Sequence, residues 1–168
     1  MKHTLAVLVE NRPGVLSHIA SLISRRNYNI ESIAAGLTEE PDVTRITLVV
    51  EGDEQIVEQV VKQLSKLIDV ISVTNLTHVD SINRELALIK VRATPEKRTD
   101  LMNVVEVFRA RIVDMNRETV VVELTGEEDK IDALCRVLED HGIVEMVRTG
   151  RVSLNRGPLP VKEIGWRE

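Results

Sequence analysis

Apolar positions in the first half of the chain follow two different periods. An uninterrupted apolar run over 5–9 is typical of a strand that is buried on both faces. Apolar residues then recur at helical spacing over 15–23, with polar residues on the opposite face. Beyond them, the pattern predicts extended segments over 30–34, 46–50 and 70–73 and a second helix over 56–64.

The second half repeats this order of elements. It predicts a strand over 86–91 and then a helix that starts with Thr94 as its cap and Pro95 at the first helical position. The remaining elements are strands over 112–115, 120–124 and 143–147, and a helix over 131–138 that ends at His141-Gly142.

Each half therefore predicts the order strand–helix–strand–strand–helix–strand. With right-handed crossovers, this order gives a four-stranded antiparallel sheet with two helices on one face, the ferredoxin-like arrangement. We expect an α+β protein with two such domains in tandem, over 1–79 and 80–157. The tail contains Gly157-Pro158-Leu159-Pro160 and lacks periodicity, so we expect residues 158–168 to be loose or ordered only by a partner.

A two-layer domain of this kind leaves one sheet face and two sheet edges uncovered. The strands of the first half are apolar on much of both faces. Exposed apolar sheet is an aggregation hazard unless something covers it. We therefore expect the first domain to form a homodimer through its sheet.

Composition narrows the class of protein. Hydrophobic residues make up 43% of the 168 residues, but aromatic residues only 2%, and the formal net charge is −5. Without aromatic platforms or a basic surface, binding to single-stranded or duplex nucleic acid is not expected. No apolar run approaches the length of a membrane span. The single cysteine, Cys135, lies on the apolar stripe of a predicted helix, so we expect its thiol to be buried. These features are typical of a mildly acidic cytosolic (cytoplasmic) protein.

The turn after the first strand is the strongest candidate for a ligand site. Pro13 and Gly14 turn the chain between the strand and the first helix, and Gly14 permits close backbone approach. A free helix N-terminus suits a small carboxylate, which the N–H groups near Gly14 and Val15 could hold. Asn11 offers both a donor and an acceptor, as a zwitterion requires. By itself, such a turn is also typical of an ordinary helix start.

A second polar turn follows the first helix. Asn27 is suited to end that helix in a left-handed conformation. Asn29 would reach a ligand at the helix start only if a second subunit brought it there. By itself, this segment is equally compatible with a plain helix-to-strand turn.

No motif for catalysis accompanies these turns. His3, His18, His78 and His141 are scattered, and neither metal-ligand spacings nor glycine-rich nucleotide loops occur. The carboxylates are spread over polar helix faces. The chain is therefore expected to sense a small ligand and to have no catalytic residues and no metal site of its own.

These residues point to a family. Residues 5–16 (Leu5 to Leu16) and 29–33 (Asn29-Ile30-Glu31-Ser32-Ile33) resemble an ACT domain, the βαββαβ module that senses amino acids. The whole chain, over roughly 2–157, resembles the regulatory (small) subunit of acetohydroxyacid synthase, also called acetolactate synthase. The further matching segments are 63–70, 84–91 and Arg148-Thr149-Gly150-Arg151.

The resemblance implies a function and a site. The small subunit raises the activity of a catalytic large subunit and confers inhibition by valine. The large subunit carries thiamine diphosphate, magnesium and FAD and condenses two pyruvates, or pyruvate with 2-oxobutyrate. The effector site lies between two ACT domains: Asn11, Gly14, Val15 and Leu16 of one chain hold the amino acid, with Asn29 and Ile30 from the other.

One departure from the family pattern and two alternatives accompany this expectation. Asn27 replaces the glycine that family members often carry before the aromatic–Asn–Ile turn, and both residues tolerate positive φ. One alternative is a stand-alone ACT-type amino-acid sensor that regulates a different partner, although no attached DNA-binding element is visible. The other is a small enzyme on a ferredoxin-like scaffold, although no acid–base pair or nucleophile is evident.

Overall fold

The computed structural model describes residues 1–164 and divides the chain into two compact units. Unit 1 comprises residues 1–82 together with the C-terminal segment from Arg151, and unit 2 comprises residues 83–150. Unit 2 is thus inserted into unit 1. This differs from the expected division into 1–79 and 80–157, because the chain returns to unit 1 after Gly150.

Unit 1 has the predicted βαββαβ order. Its sheet runs β2-β3-β1-β4 with antiparallel neighbours, and the ferredoxin-like arrangement is confirmed. The elements are β1 (Lys2–Glu10), α1 (Val15–Arg26), β2 (Asn29–Leu37), β3 (Val43–Glu51), α2 (Glu54–Ser65) and β4 (Val70–Asn75).

Local chemistry explains where the helices of unit 1 begin and end. The side chain of Asp53 accepts a hydrogen bond from Ile56 N–H at 2.9 Å and so caps α2. Helix α1 ends at Asn27, which has the predicted left-handed conformation (φ 54°, ψ 37°). Both helices bury an apolar stripe against the sheet, and Ile19, Val60 and Leu64 are fully buried there.

Unit 2 repeats the βαββαβ order, with its sheet in the order β6-β7-β5-β8. The start of its first helix differs in detail from the prediction. Thr94 is extended, but its side chain makes no capping hydrogen bond, and a short 3₁₀ turn over Pro95–Lys97 precedes the helix. The elements are β5 (Ser81–Arg92), α3 (Arg98–Val107), β6 (Arg111–Met115), β7 (Thr119–Gly126), α4 (Glu128–Glu139) and β8 (Ile143–Arg148).

The C-terminal segment covers part of the outer face of the unit 1 sheet, the face opposite the helices. It contains β9 (Val152–Asn155) and α5 (Val161–Ile164). Val161 is 5% exposed and packs in an apolar cluster with Ala6, Leu8 and Leu76. Polar anchors include Arg151 Nη1 to Thr4 Oγ1 at 3.0 Å, Arg45 Nη2 to Ser153 O at 2.6 Å and Thr74 Oγ1 to Val161 O at 3.2 Å.

One expectation is corrected by this segment. Residues 158–164 are not loose, because α5 buries Val161 on the sheet; residues 165–168 lie outside the described residues. The chain's own C-terminal segment covers part of the outer sheet face, and the homodimer through the sheet stays a prediction. The prediction that β1 is buried on both faces is confirmed, since residues 3–9 are all buried.

Cys135 departs slightly from expectation. It packs against the core of unit 2 but is half-buried rather than fully buried. Its Sγ lies 3.4 Å from Met146 Sδ, and burial raises the pKa of the thiol. Among residues 1–164, no helix is both long enough and apolar enough to cross a bilayer.

A charged network lies at one side of unit 2. Glu85 is 7% exposed, and both of its carboxylate oxygens accept hydrogen bonds from Arg148, at 2.5 and 3.1 Å. Arg148 also donates to Asp132 at 2.7 Å. The hydrogen bonds that Arg148 donates to Glu85 raise the pKa of Arg148, so this side chain is a permanent cation that neutralises a buried carboxylate.

Loss of Arg148 should therefore destabilise unit 2. In Arg148→Ala the Glu85 carboxylate stays buried without its partner, and we expect the free energy of unfolding to fall by about 2–3 kcal/mol. Urea unfolding followed by circular dichroism measures the change. The control is Arg156→Ala, which removes an exposed ion pair with Asp80 and should cost less than about 0.5 kcal/mol. Equal losses in the two variants would contradict the assigned role of Glu85.

Candidate functional site

The candidate site is the turn between β1 and α1, which two backbone hydrogen bonds hold in place. Glu10 N–H donates to Asp69 O at 2.9 Å, and Asn11 N–H donates to Asp42 O at 2.8 Å. The side chain of Asn11 donates through Nδ2 to Pro41 O at 3.4 Å. The turn is therefore fixed on one side by the segment before β4 and on the other by the β2–β3 hairpin.

Gly14 gives the turn its open backbone. It has φ 86° and ψ −12°, a left-handed conformation that favours glycine, and no atom lies within 4 Å of the place where a Cβ would stand. Gly14 cannot cap α1 with a side chain, and the first turn of α1 contains no acidic residue. The start of the helix is thus sterically open, and no acidic side chain in its first turn offsets the positive end of the helix dipole.

Several backbone donors face outward at this helix start. Among the described residues, the N–H groups of Gly14, Leu16 and Ser17 have no hydrogen-bond partner. Val15 N–H is engaged only weakly, with Arg12 O at 3.4 Å. Together with the helix dipole, these groups can bind a small carboxylate. Donors were predicted near Gly14 and Val15 but not at Ser17, although a helix without a side-chain cap leaves its first N–H groups unpaired.

The side chains of the predicted site point in different directions. Val15 is 4% exposed and belongs to the core of unit 1, so only its backbone is available to a ligand. Leu16 is 51% exposed, so its apolar side chain is accessible beside the free donors. Arg12 is held by Glu10 at 3.0 Å.

Asn29 and Ile30 lie at the opposite end of the same sheet. Asn29 is level with Glu51 on β3, which in turn is level with Lys2 at the start of β1. Gly14 follows the other end of β1, and a nine-residue strand spans about 27 Å. Asn29 Nδ2 donates to Glu51 Oε2 at 2.7 Å. One chain by itself therefore does not bring Asn29 and Gly14 together.

The ionisable groups near the turn form no catalytic arrangement. His18 Nδ1 lies 3.4 Å from Asp69 Oδ2, and the His18 side chain is 66% exposed. Within residues 1–164, no group of three His, Cys, Asp or Glu side chains is arranged to hold a metal ion. The free N–H groups at this turn can accommodate a small polar ligand.

Unit 2 contains a counterpart of the turn that differs in two of these features. The corresponding two backbone hydrogen bonds hold it, from Arg92 N–H to Gly142 O at 2.9 Å and from Ala93 N–H to Glu118 O at 2.8 Å. Ala93 stands where unit 1 has Asn11, and the 3₁₀ turn over Pro95–Lys97 replaces the open glycine. The two units thus share a frame, which unit 1 combines with the amide side chain of Asn11 and the open backbone of Gly14.

Comparisons with known proteins match the two halves of the chain to two different family models. The family model described as an AHAS small subunit-like ACT domain matches residues 5–72. The family model described as the small subunit of acetolactate synthase matches residues 84–157.

Similar proteins cover nearly the whole chain. A probable acetolactate synthase small subunit of Archaeoglobus fulgidus is 52% identical over 157 residues, 94% of this chain and 98% of the relative. An acetolactate synthase small subunit of Mycolicibacterium smegmatis is 49% identical over 93% of this chain and 92% of the relative. The crystal structure of the acetolactate synthase small subunit from Thermotoga maritima matches with a TM-score of 0.87 and 38% identity, over 95% of this chain and 99% of that chain. With an ACT domain in its first unit and such relatives along its length, the chain belongs to the family of acetolactate synthase small subunits.

Proposed function

We propose that this chain activates the catalytic large subunit of an acetolactate synthase and confers feedback inhibition by valine. The open helix start at Gly14, with its unpaired N–H groups, supports this proposal best. Condensation itself takes place on the large subunit, which we expect to carry thiamine diphosphate, magnesium and FAD. We expect this chain to work as a homodimer in the cytoplasm and to bind neither nucleic acid nor membrane.

The edge strand β2 is suited to pair with a second copy of itself. It contains no proline and no lysine, the residues that commonly protect an edge from pairing. Ile33 and Leu37, on its helix-facing side, remain 43% and 79% exposed. A twofold axis near Ile33 would extend the two sheets into one antiparallel sheet of eight strands.

Such pairing would also assemble the effector site. Strand β2 runs parallel to β1, so its last residue, Leu37, is at the same end of the sheet as Gly14. Antiparallel pairing of two β2 strands places the first residues of one strand beside the last residues of the other. Asn29 and Ile30 of a second chain would then lie at the end of the sheet that carries Gly14.

The groups at this junction match the parts of valine. The carboxylate would accept hydrogen bonds from the free N–H groups of Gly14, Leu16 and Ser17. Since Asn11 Nδ2 is turned toward Pro41 O, its side-chain oxygen is left to accept from the ammonium group. Leu16 of one chain and Ile30 of the other would enclose the isopropyl group.

Inhibition would follow from the dimer rather than from contact with the catalytic residues. Valine bound across two chains stabilises the arrangement of the chains in which both halves of the site meet. The activity changes only if the large subunit binds the two arrangements with different affinity or is active with only one of them.

The direct test measures acetolactate formation by a matching large subunit. We expect stimulation by this chain and reversal of that stimulation by valine at millimolar concentration. Stimulation that valine does not reverse would contradict the proposed feedback. Valine binding without any stimulation would favour an amino-acid sensor with a different partner.

A carboxylate introduced at Gly14 should compete with that of the effector. In Gly14→Asp we expect stimulation to be retained, because the new side chain points into open space, and valine inhibition to weaken at least about tenfold by charge repulsion. Inhibition curves with the holoenzyme measure this. Gly157→Asp is the matched control, since Gly157 also has a left-handed backbone (φ 89°) and open space at its Cβ. A Gly14→Asp subunit that valine still inhibits normally would contradict the site.

Mixed dimers test whether two chains share each site. Gly14→Asp and Asn29→Ala homodimers carry a defect in every site, so each should bind valine at least about tenfold more weakly. A heterodimer of the two variants collects both defects in one site and leaves the other intact. We expect isothermal titration of the purified heterodimer to find one site of normal affinity. If Gly14 and Asn29 of the same chain formed the site, the heterodimer would have none.

A further inference from the structure

The loop of the β2–β3 hairpin, residues 38–42, contacts the turn between β1 and α1, which carries the proposed effector site. Asp42 O accepts from the backbone N–H of Asn11 at 2.8 Å, and Pro41 O accepts from its side chain at 3.4 Å. These two carbonyl groups set both the backbone and the amide of Asn11. The direction of the Asn11 side-chain oxygen therefore depends on where the hairpin lies.

The hairpin is a stiff unit. Thr38 Oγ1 hydrogen-bonds to Glu40 O at 3.0 Å or to Val43 O at 2.9 Å, and Val43 N–H donates to Glu40 O at 3.0 Å. Because these bonds link both ends of the hairpin, displacement of Glu40 should also move Pro41 and Asp42.

Helix α5 contacts the hairpin from the other side. Lys162 Nζ lies 3.2 Å from Glu40 Oε1, and Val43 packs against the apolar cluster that contains Val161. Ile164 packs against the same cluster. The hairpin thus lies between α5 and Asn11, within unit 1.

Helix α5 is itself anchored independently of the hairpin. Val161 is buried against Ala6, Leu8 and Leu76, and its carbonyl accepts from Thr74 Oγ1 at 3.2 Å. These contacts reach β1, β4 and the residue after β4. Both family models end before α5, at residues 72 and 157, so neither accounts for this helix.

We propose that α5 positions Asn11 for the effector by holding the hairpin at 38–42. Lys162 and Val161 are then positioning residues for the effector site, although neither touches the ligand. This inference rests on the proposed function, since it assigns a role in valine binding. If the hairpin were displaced, the Asn11 side chain would become ordered only when valine binds. The entropy lost in that ordering would lower the affinity for valine.

Charge reversal tests the contact between α5 and the hairpin. In the full-length Lys162→Glu chain, repulsion from Glu40 should weaken valine binding about threefold, a size typical of an exposed ion pair. The double variant Glu40→Lys/Lys162→Glu should restore the affinity. Arg156→Glu is the matched control, because it reverses a charge beside Asp80 in the same C-terminal segment and should leave the affinity unchanged.

Hydrogen exchange separates positioning from general destabilisation. The backbone N–H of Asn11, which donates to Asp42 O, should exchange faster in Lys162→Glu and in Val161→Ala. The exchange rate of the backbone N–H of Leu48, in the core strand β3, should change less. Equal acceleration at both amides, or unchanged exchange at Asn11, would overturn the inference.

The two binding outcomes distinguish this inference from the proposed function. A wild-type chain that does not bind valine would overturn the proposed function, whatever the exchange data show. A wild-type chain that binds valine, with the same affinity in Lys162→Glu, would overturn only the role of α5.

Discussion

Unit 1 depends on the burial of strand β1 on both of its faces. Leu5, Val7 and Val9 pack under the two helices, whereas Ala6 and Leu8 lie on the opposite face. A ferredoxin-like unit has no second helix layer, so its own elements cannot cover that face. After unit 2 the chain returns to unit 1, and residues 151–164 pack on this face of the sheet. Burial of a side chain such as Leu8 or Val161 stabilises the fold by about 1.5–3 kcal/mol.

This requirement was visible in the sequence only in part. The unbroken apolar run over 5–9 correctly predicts two buried faces, which implies that something must cover the outer one. The covering segment itself gives no periodic signal, because β9 has four residues and α5 has four. Only Val161 and Ile164 are apolar in this short helix, and the burial of Val161 depends on contacts with β1 and the end of β4 that are distant along the chain.

At the candidate site too, features set by neighbouring residues could be predicted from the sequence, whereas features set by residues distant along the chain could not. The left-handed conformations of Gly14 and Asn27 follow from residue type and from their places at the ends of a helix. The helical spacing places Val15 on the apolar stripe, and this correctly indicates that its side chain belongs to the core. The hydrogen bonds from Asn11 to the carbonyl groups of Pro41 and Asp42 could not be predicted, because the type of a residue does not indicate which group its backbone carbonyl will contact. Likewise, Thr94 has the residue type of a cap but makes no capping bond, since a 3₁₀ turn intervenes.

The two units share one backbone frame at corresponding turns. Corresponding pairs of backbone hydrogen bonds hold the turn after β1 and the turn after β5. Unit 2 then fills the helix start with Pro95–Lys97 and places alanine where unit 1 has Asn11. The frame belongs to the fold, whereas the proposed effector site also needs Gly14 and Asn11.

The position of the turn gives a physical reason for regulation through the dimer. Gly14 and Asn29 belong to opposite ends of one sheet, so no small movement within a chain can bring them to one ligand. A valine-sized molecule that needs both must be held by two chains. In the proposed site, its binding energy would act on the contact between the chains, and the hairpin at 38–42 would determine how well Asn11 is prepared for it. In the proposed function, the effector thus controls an arrangement of subunits, and the catalytic chemistry can remain entirely on the large subunit.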